Sequence, residues 1–129
     1  TDMERIGDHA ADISELTIAM AAVPYPLRGE YIRKMAGETI VMLLDAVNSY
    51  VNKDIEKAHS VIAHDDIVDN YFNEVKSDII TMIASNPGDG EYALDLLMIA
   101  KYFERIGDHC TNIAEWVEFS LTGIREECQ

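Results

Sequence analysis

The sequence has few basic residues and no long hydrophobic run, and each shortage excludes a class of protein. Ten lysines and arginines stand against 24 acidic residues, which gives a formal net charge of −14. Such a chain repels nucleic-acid phosphates, so no nucleic-acid partner is expected. No uninterrupted apolar stretch approaches the roughly 20 residues needed to cross a bilayer, so membrane insertion is not expected either. The acidity instead suits cations or a basic protein surface.

Cysteine is also scarce. Cys110 and Cys128 form neither a Cys-x-x-Cys pair nor a zinc-finger spacing. Because no disulfide framework is indicated, the expected compartment is the reducing cytoplasm.

The few prolines and glycines mark turns between helices. Prolines and glycines number three and seven in the chain. Proline cannot continue a helix, and Ser, Asn, Pro, Gly and Asp dominate turns. Asp54 is a good N-cap candidate, and Gly123 suits a helix C-terminus. The predicted breaks lie at Pro24–Pro26, Asn52–Asp54 and Ser85–Gly90.

Between these breaks, apolar residues recur at the spacing of amphipathic helices, and no segment shows sustained strand alternation. The sequence therefore predicts an all-α fold, an antiparallel bundle of four helices. The first helix runs from about Asp2 to Met20. The third and fourth each have about 30 residues, roughly 45 Å at 1.5 Å per residue. Long helices joined by short loops pack antiparallel.

One hexapeptide occurs twice. Glu4–His9 returns letter for letter as Glu104–His109, 100 residues later. Such identity implies an internal duplication. The second copy closes a three-helix unit, residues 27–123, and the first lies in residues 1–23, the terminal helix of an otherwise missing upstream repeat. The chain enters a helical pattern directly at Thr1, so we expect upstream sequence to be missing.

Each copy of the hexapeptide carries two carboxylates four residues apart, Glu4 with Asp8 and Glu104 with Asp108. Residues at this spacing lie on one helix face, and like charges there destabilise a helix slightly, so something should compensate. A glycine within a helix costs up to about 1 kcal/mol relative to alanine. Close approach of a neighbouring helix would explain Gly107.

The preceding helix carries a matching pair, Asp65 and Asp69. Asp69 and Glu104 share a sequence midpoint with Asp65 and Asp108, between residues 86 and 87, inside the strongest turn signal. An antiparallel hairpin therefore brings all four carboxylates to about the same height. Whether they share a face depends on helix rotation, which the sequence leaves open. If they do, their oxygens suit a hard cation such as iron(III), magnesium, calcium or manganese.

Simpler interpretations also fit these residues. Acidic pairs on helices usually face water, and Arg5 and Arg105 are available to pair with them. His64 and His109 adjoin the acids, but neighbouring helical positions point in different directions, so surface histidines are favoured over ligands.

The repeated hexapeptide, the trailing Asn112, Ile113 and Glu115, and Asp-x-x-Val-Asp at Asp65–Asp69 resemble the PhoU family of phosphate-uptake regulators. The resemblance covers nearly the whole chain. It implies the last helix of a first three-helix repeat, followed by a complete second repeat.

The resemblance also implies a metal site in each repeat, filled by iron or zinc, whereas magnesium, calcium and manganese are alternatives from the oxygen-only donor set. Asp12 stands where the second copy has Asn112, so the two sites need not be equivalent. The implied first-repeat ligands are Glu4 and Asp8, with Asp12 as a further candidate, and the other half of that site is absent. The implied second-repeat ligands are Asp65, Asp69, Glu104 and Asp108.

The role implied by the resemblance is negative regulation of phosphate uptake and of phosphate-starvation signalling, by a cytoplasmic helical adaptor and not an enzyme. The implied partners are the ATPase of the phosphate-specific transporter and a membrane-bound sensor kinase.

Two other functions stay open. A carboxylate-bridged di-metal enzyme uses Glu-x-x-His on two helices, and this chain has one match, Glu56–His59. A metal-free protein-interaction bundle is the second alternative. The face of the first helix that met the missing repeat would be apolar and exposed, which favours a homodimer or domain swapping.

Overall fold

The computed structural model describes residues 2–5, 7–8 and 30–123 of the chain. Residues 2–5 and 7–8, here called the N-terminal segment, are helical, and no residue of the described ranges is in a β-strand. The predicted all-α class is confirmed. The three long helices are α1 (Glu30–Asn52), α2 (Ile55–Ser85) and α3 (Gly90–Thr122), with a 3-10 turn at Pro87–Asp89.

Parts of the sequence prediction fall on residues that the structure does not describe. These are the extension of the first helix to Met20, its exposed face, the break at Pro24–Pro26, and the side chains of His9, Asp12 and Cys128. The predicted dimerisation through that face is therefore untested.

The turn between α1 and α2 is closed by two neighbouring residues. Lys53 adopts a left-handed conformation with φ of 53°, which lets the chain reverse without a glycine. Asp54 then caps α2, because its Oδ1 accepts hydrogen bonds from the backbone N–H groups of Glu56 and Lys57 at 3.1 and 3.2 Å. The predicted N-cap is confirmed, and it satisfies two N–H groups that have no partner within the helix.

The turn between α2 and α3 is tight. Asn86 Oδ1 accepts a hydrogen bond from the Gly88 N–H at 3.2 Å, and Pro87 begins the 3-10 turn. At its far end, α3 stops at Gly123, whose φ of 76° lies in the left-handed region. Its N–H donates to the Phe119 carbonyl at 2.6 Å, as expected for a glycine C-cap.

Each of the three helices packs on the other two. One apolar face of each helix supplies the core, so the helical spacing in the sequence does correspond to burial. Cys110 is fully buried and belongs to this core. No helix within the described ranges is long and apolar enough to span a membrane. The largest fully buried side chains are Met35, Met42, Leu96, Val61, Val68, Cys110 and Ser49.

Candidate metal centre

The α2–α3 hairpin brings three of the four predicted carboxylates together. Asp65 and Asp69 project from α2 and Asp108 from α3, and one oxygen of each lies within 4.8 Å of the others. In the described ranges this is the one cluster of three or more Asp, Glu, His or Cys donors. The helix rotation that the sequence left open therefore turns these three side chains toward each other. We call them the aspartate group.

The buried side of the aspartate group is apolar. Asp65 Oδ1 is buried and has no hydrogen-bond partner, which is uncommon for a buried polar atom. A β-carbon placed on Gly107 would lie 3.7 Å from that oxygen and equally far from Met42 Sδ and Val68 Cγ1. The close approach predicted at Gly107 is present, although an alanine would fit at ordinary van der Waals distance.

The electrostatics of the aspartate group favour a cation. Burial, followed by the charges of Asp69 and Asp108, raises the pKa of Asp65 from 3.8 to about 6. Burial and the nearby Glu104 raise the pKa of Asp69 and of Asp108 in the same direction. Each shift means that an additional negative charge is disfavoured here. A bound cation would remove that penalty.

Glu104, the fourth predicted ligand, lies beside the aspartate group but outside it. Its Oε1 accepts a hydrogen bond from Lys101 Nζ at 2.6 Å. The cation that pairs with this glutamate is Lys101. The arginine of the motif, Arg105, is exposed. Lys101 was not predicted as the partner of Glu104, although its position three residues earlier on the same helix face was an available signal.

The two histidines next to the aspartate group point away from it. His64 Nε2 pairs with Glu38 of α1, and His109 Nδ1 lies 2.8 Å from Asp2 Oδ1 of the N-terminal segment. Their side chains are only 22% and 19% exposed. The sequence favoured surface histidines over ligands, and the structure instead places both in half-buried pairs between helices.

The two acids of the first hexapeptide form no comparable cluster among the described residues. Glu4 and Asp8 are exposed, and neither belongs to a cluster of three donors within the part of the chain that the structure describes. Asp2, which the sequence analysis did not single out, instead joins this segment to α3 through His109 and, at 3.5 Å, through Asn112.

The donor set limits the choice of metal. Asp65, Asp69 and Asp108 offer only carboxylate oxygens, which suit magnesium, calcium, manganese or iron(III). Zinc is more often bound by sulfur and nitrogen, although it accepts carboxylates. The orphaned oxygen of Asp65 and the convergent charges fit such an ion.

These helices match a known protein family. The family described as "PhoU domain" matches residues 32–117, which include most of all three helices and every member of the aspartate group. The chain belongs to the PhoU family. The matched range lies inside the predicted unit of residues 27–123, while the assignment of residues 1–23 to an upstream repeat stays a prediction.

This chain spans a little over half the length of the curated PhoU relatives that it matches. A protein of Clostridium acetobutylicum is 29% identical over 123 residues, covering 95% of this chain and 56% of its own length. One of Caulobacter vibrioides is 34% identical over 122 residues, with coverages of 94% and 53%. Both are named phosphate-specific transport system accessory protein PhoU homolog.

Solved PhoU structures show the same fold. The crystal structure of PhoU from Pseudomonas aeruginosa superposes with a TM-score of 0.91 at 28% identity, covering 95% of this chain and 59% of that one. The phosphate transport system regulatory protein PhoU from Streptococcus pneumoniae gives 0.83 at 26% identity, with coverages of 96% and 58%. This chain thus matches a little over half of each PhoU structure.

Proposed function

We propose that this chain is an accessory component of phosphate-specific transport that restrains phosphate uptake and phosphate-starvation signalling. The observation that supports this role is membership of the PhoU family, whose relatives are named accessory proteins of that transport system. The proposed setting is the cytoplasm. The proposed partners are the transporter ATPase and a membrane-bound sensor kinase, which this chain would contact as a helical adaptor.

The aspartate group is the proposed metal site of the adaptor. Asp65, Asp69 and Asp108 would hold one cation, with Glu104 close enough to complete the set. When bound, the metal supplies positive charge that offsets the repulsion between the carboxylates and links α2 to α3. The family resemblance favours iron or zinc, and the oxygen-only donor set favours iron(III), manganese, magnesium or calcium. The corresponding site at Glu4 and Asp8 would need residues of an upstream repeat.

An adaptor accounts for the described residues better than an enzyme does. The histidine of the single Glu-x-x-His match, His59, lies 2.7 Å from Glu118 and pairs with it, away from the aspartate group. The relatives are named accessory or regulatory proteins. The alternative is a metal-free protein-interaction bundle, and the following experiment distinguishes it from a metal-binding adaptor.

The metal content of the purified chain tests the site. The chain, without a histidine tag and grown in metal-rich medium, would be compared by elemental mass spectrometry with Asp65→Asn/Asp108→Asn. Asp66→Asn is the matched control, because Asp66 is an exposed carboxylate on the same helix. We expect about one metal ion per chain in parent and control, and none in the double variant. Absence of metal from all three supports the metal-free bundle.

The regulatory role is tested separately in cells. A bacterium lacking its own PhoU protein would carry a phosphate-starvation reporter and express this chain, extended to the family's full length where the upstream sequence is known. We expect the reporter to be repressed in phosphate-rich medium and the transporter ATPase to co-purify. An unrepressed reporter with a well-expressed protein contradicts the proposed function, whatever the metal content.

A further inference from the structure

The register of the α2–α3 hairpin places a cation and an aromatic ring next to the carboxylates. Lys101 Nζ lies 5.3 Å from the centroid of the Phe72 ring, a cation–π distance. This contact continues the pattern of facing positions along the two helices. Three pairs share one midpoint between residues 86 and 87: Asp65 with Asp108, Asp69 with Glu104, and Phe72 with Lys101.

Lys101 is held at two points. Its ammonium nitrogen is 2.6 Å from Glu104 Oε1 and lies over Phe72 at the same time. The lysine side chain is 42% exposed, whereas the Glu104 side chain is only 18% exposed. One carboxylate oxygen of Glu104 is therefore paired with a lysine of the same helix. Glu104 nevertheless lies at the same height along the hairpin as Asp69 of the aspartate group.

We propose that Lys101 and a bound metal compete for Glu104. Without metal, Lys101 holds Glu104 beside the aspartate group, and metal binding transfers Glu104 to the ion as a fourth carboxylate. The proposal rests on the metal site of the proposed function. It makes Lys101 a positioning residue that acts through Glu104.

The exchange needs only side-chain motion. Lys101 and Glu104 lie three residues apart on one face of α3, so a rotamer change of the glutamate moves its carboxylate without moving the helix. The released ammonium keeps its contact with Phe72. Metal binding thus leaves the ammonium group of Lys101 without its carboxylate partner.

A double-mutant cycle tests this exchange with Mn²⁺ alone as the probe. The affinity of parent, Lys101→Met, Glu104→Gln and the double variant would be measured from the EPR signal of free Mn²⁺. We expect Lys101→Met to tighten Mn²⁺ binding about two- to fivefold, which corresponds to the small free energy of a half-exposed ion pair. Glu104→Gln should weaken binding about tenfold. In the Glu104→Gln background, Lys101→Met should then change almost nothing.

Lys76→Met is the control for charge alone. Lys76 Nζ lies 6.0 Å from the centroid of the same Phe72 ring, and no ion pair with Glu104 is formed. Its removal takes one positive charge from the same region, so we expect a smaller change in Mn²⁺ affinity than for Lys101→Met. Thermal unfolding without metal would establish that each variant is folded.

A second measurement follows Lys101 directly. The amine is acylated with a water-soluble reagent, with and without Mn²⁺, and modification is read by mass spectrometry. We expect Lys101 to become severalfold more reactive with Mn²⁺ while Lys76 does not change. Equal reactivity in both conditions overturns the exchange.

The outcomes separate the exchange from the site and from the family role. If Lys101→Met tightens binding equally with glutamate or glutamine at position 104, Lys101 acts as a diffuse charge and the exchange is wrong, although the metal site stands. If no variant binds Mn²⁺ or Zn²⁺, the exchange and the site both fail. The reporter experiment in cells still decides the regulatory role in that case.

Discussion

Asp65 on α2 lies against Gly107 on α3, where an added β-carbon would come to 3.7 Å from the buried Asp65 Oδ1. That distance is ordinary van der Waals contact, so sterics alone do not require glycine here. A glycine within a helix nevertheless costs about 1 kcal/mol relative to alanine. Because a methyl group there would contact Asp65 Oδ1, we expect it to restrict how the carboxylate can turn toward an ion.

Gly107→Ala should therefore stabilise the metal-free protein and weaken metal binding. Helix propensity predicts a gain of about 1 kcal/mol in the free energy of unfolding, or roughly 4 °C in Tm. The new methyl group covers Asp65 Oδ1, so Mn²⁺ affinity should fall severalfold. Calorimetric melting and Mn²⁺ titration measure the two effects.

Gly37→Ala is the matched control for this prediction. Gly37 lies within α1, is exposed, and has no described atom within 4 Å of the position its β-carbon would take. We expect a similar gain in stability and unchanged Mn²⁺ affinity. A loss of affinity in both variants would show that rigidity of the helices, and not the cover over Asp65, limits binding.

The raised pKa of Asp65 predicts that the metal-free protein gains stability as the pH falls from about 7 to 4. The folded state takes up a proton near pH 6, where the pKa is raised from 3.8 to about 6. The unfolded state takes up that proton only near its ordinary pKa. Each pKa unit corresponds to about 1.4 kcal/mol, and solvent screening at this half-exposed group reduces the expected gain to about 1 kcal/mol.

Urea unfolding in a chelator, at several pH values, measures this gain. Asp65→Asn should flatten the change between pH 7 and 4, because the titrating group is gone. Saturating Mn²⁺ should reverse the trend, since the ion binds deprotonated carboxylates and is lost as the pH falls. A stability difference between the parent and Asp65→Asn that stays constant from pH 7 to 4 without metal contradicts the shift at Asp65.

Asp54→Ala should destabilise the fold through the start of α2. The substitution leaves the N–H groups of Glu56 and Lys57 without their side-chain acceptor, which typically costs about 1 kcal/mol. Asp78→Ala is the control, because Asp78 is an exposed carboxylate on the same helix, far from its N-terminus. Urea unfolding should show the loss for Asp54 only, and equal losses would mean that overall charge explains both.

His59→Ala should destabilise the fold by leaving Glu118 without its partner. Glu118 is 8% exposed, and its Oε2 lies 2.7 Å from His59 Nε2. A buried acceptor that is left without a polar partner costs about 1–3 kcal/mol. The same substitution in a Glu118→Gln background should cost less, because no carboxylate charge is then left unpaired. Chemical unfolding of the four proteins gives the coupling, and strict additivity would argue against the pair.

The hairpin register could be predicted from the sequence because the turn signal at Asn86–Gly90 is strong. With that turn located, equal distances along two antiparallel helices bring Asp65 level with Asp108. The rotation of each helix about its axis could not be predicted, since it depends on how the apolar faces of all three helices interlock. The pairing of Glu104 with Lys101 could not be predicted either, because it depends on the side-chain rotamer of the glutamate and not on helix rotation.

The histidine contacts were beyond sequence reasoning for a different reason. His64 pairs with Glu38, 26 residues away, and His109 with Asp2, 107 residues away. No local spacing rule connects positions so distant in the chain. The polar partners follow from the packing of complete helices, which a single sequence without a structure does not give.

The three carboxylates of the aspartate group come from two consecutive helices, while Met42 Sδ of α1 lies 3.7 Å from the position of a β-carbon on Gly107. The candidate centre is thus contained in one helical hairpin. The same few side chains should form the cluster again on an unrelated antiparallel pair of helices, if the register is kept and a residue of the size of methionine packs near the glycine. Changes in the connecting turn that preserve this register are then neutral for the centre, whereas inserting one residue inside either helix would rotate its acids about 100° away.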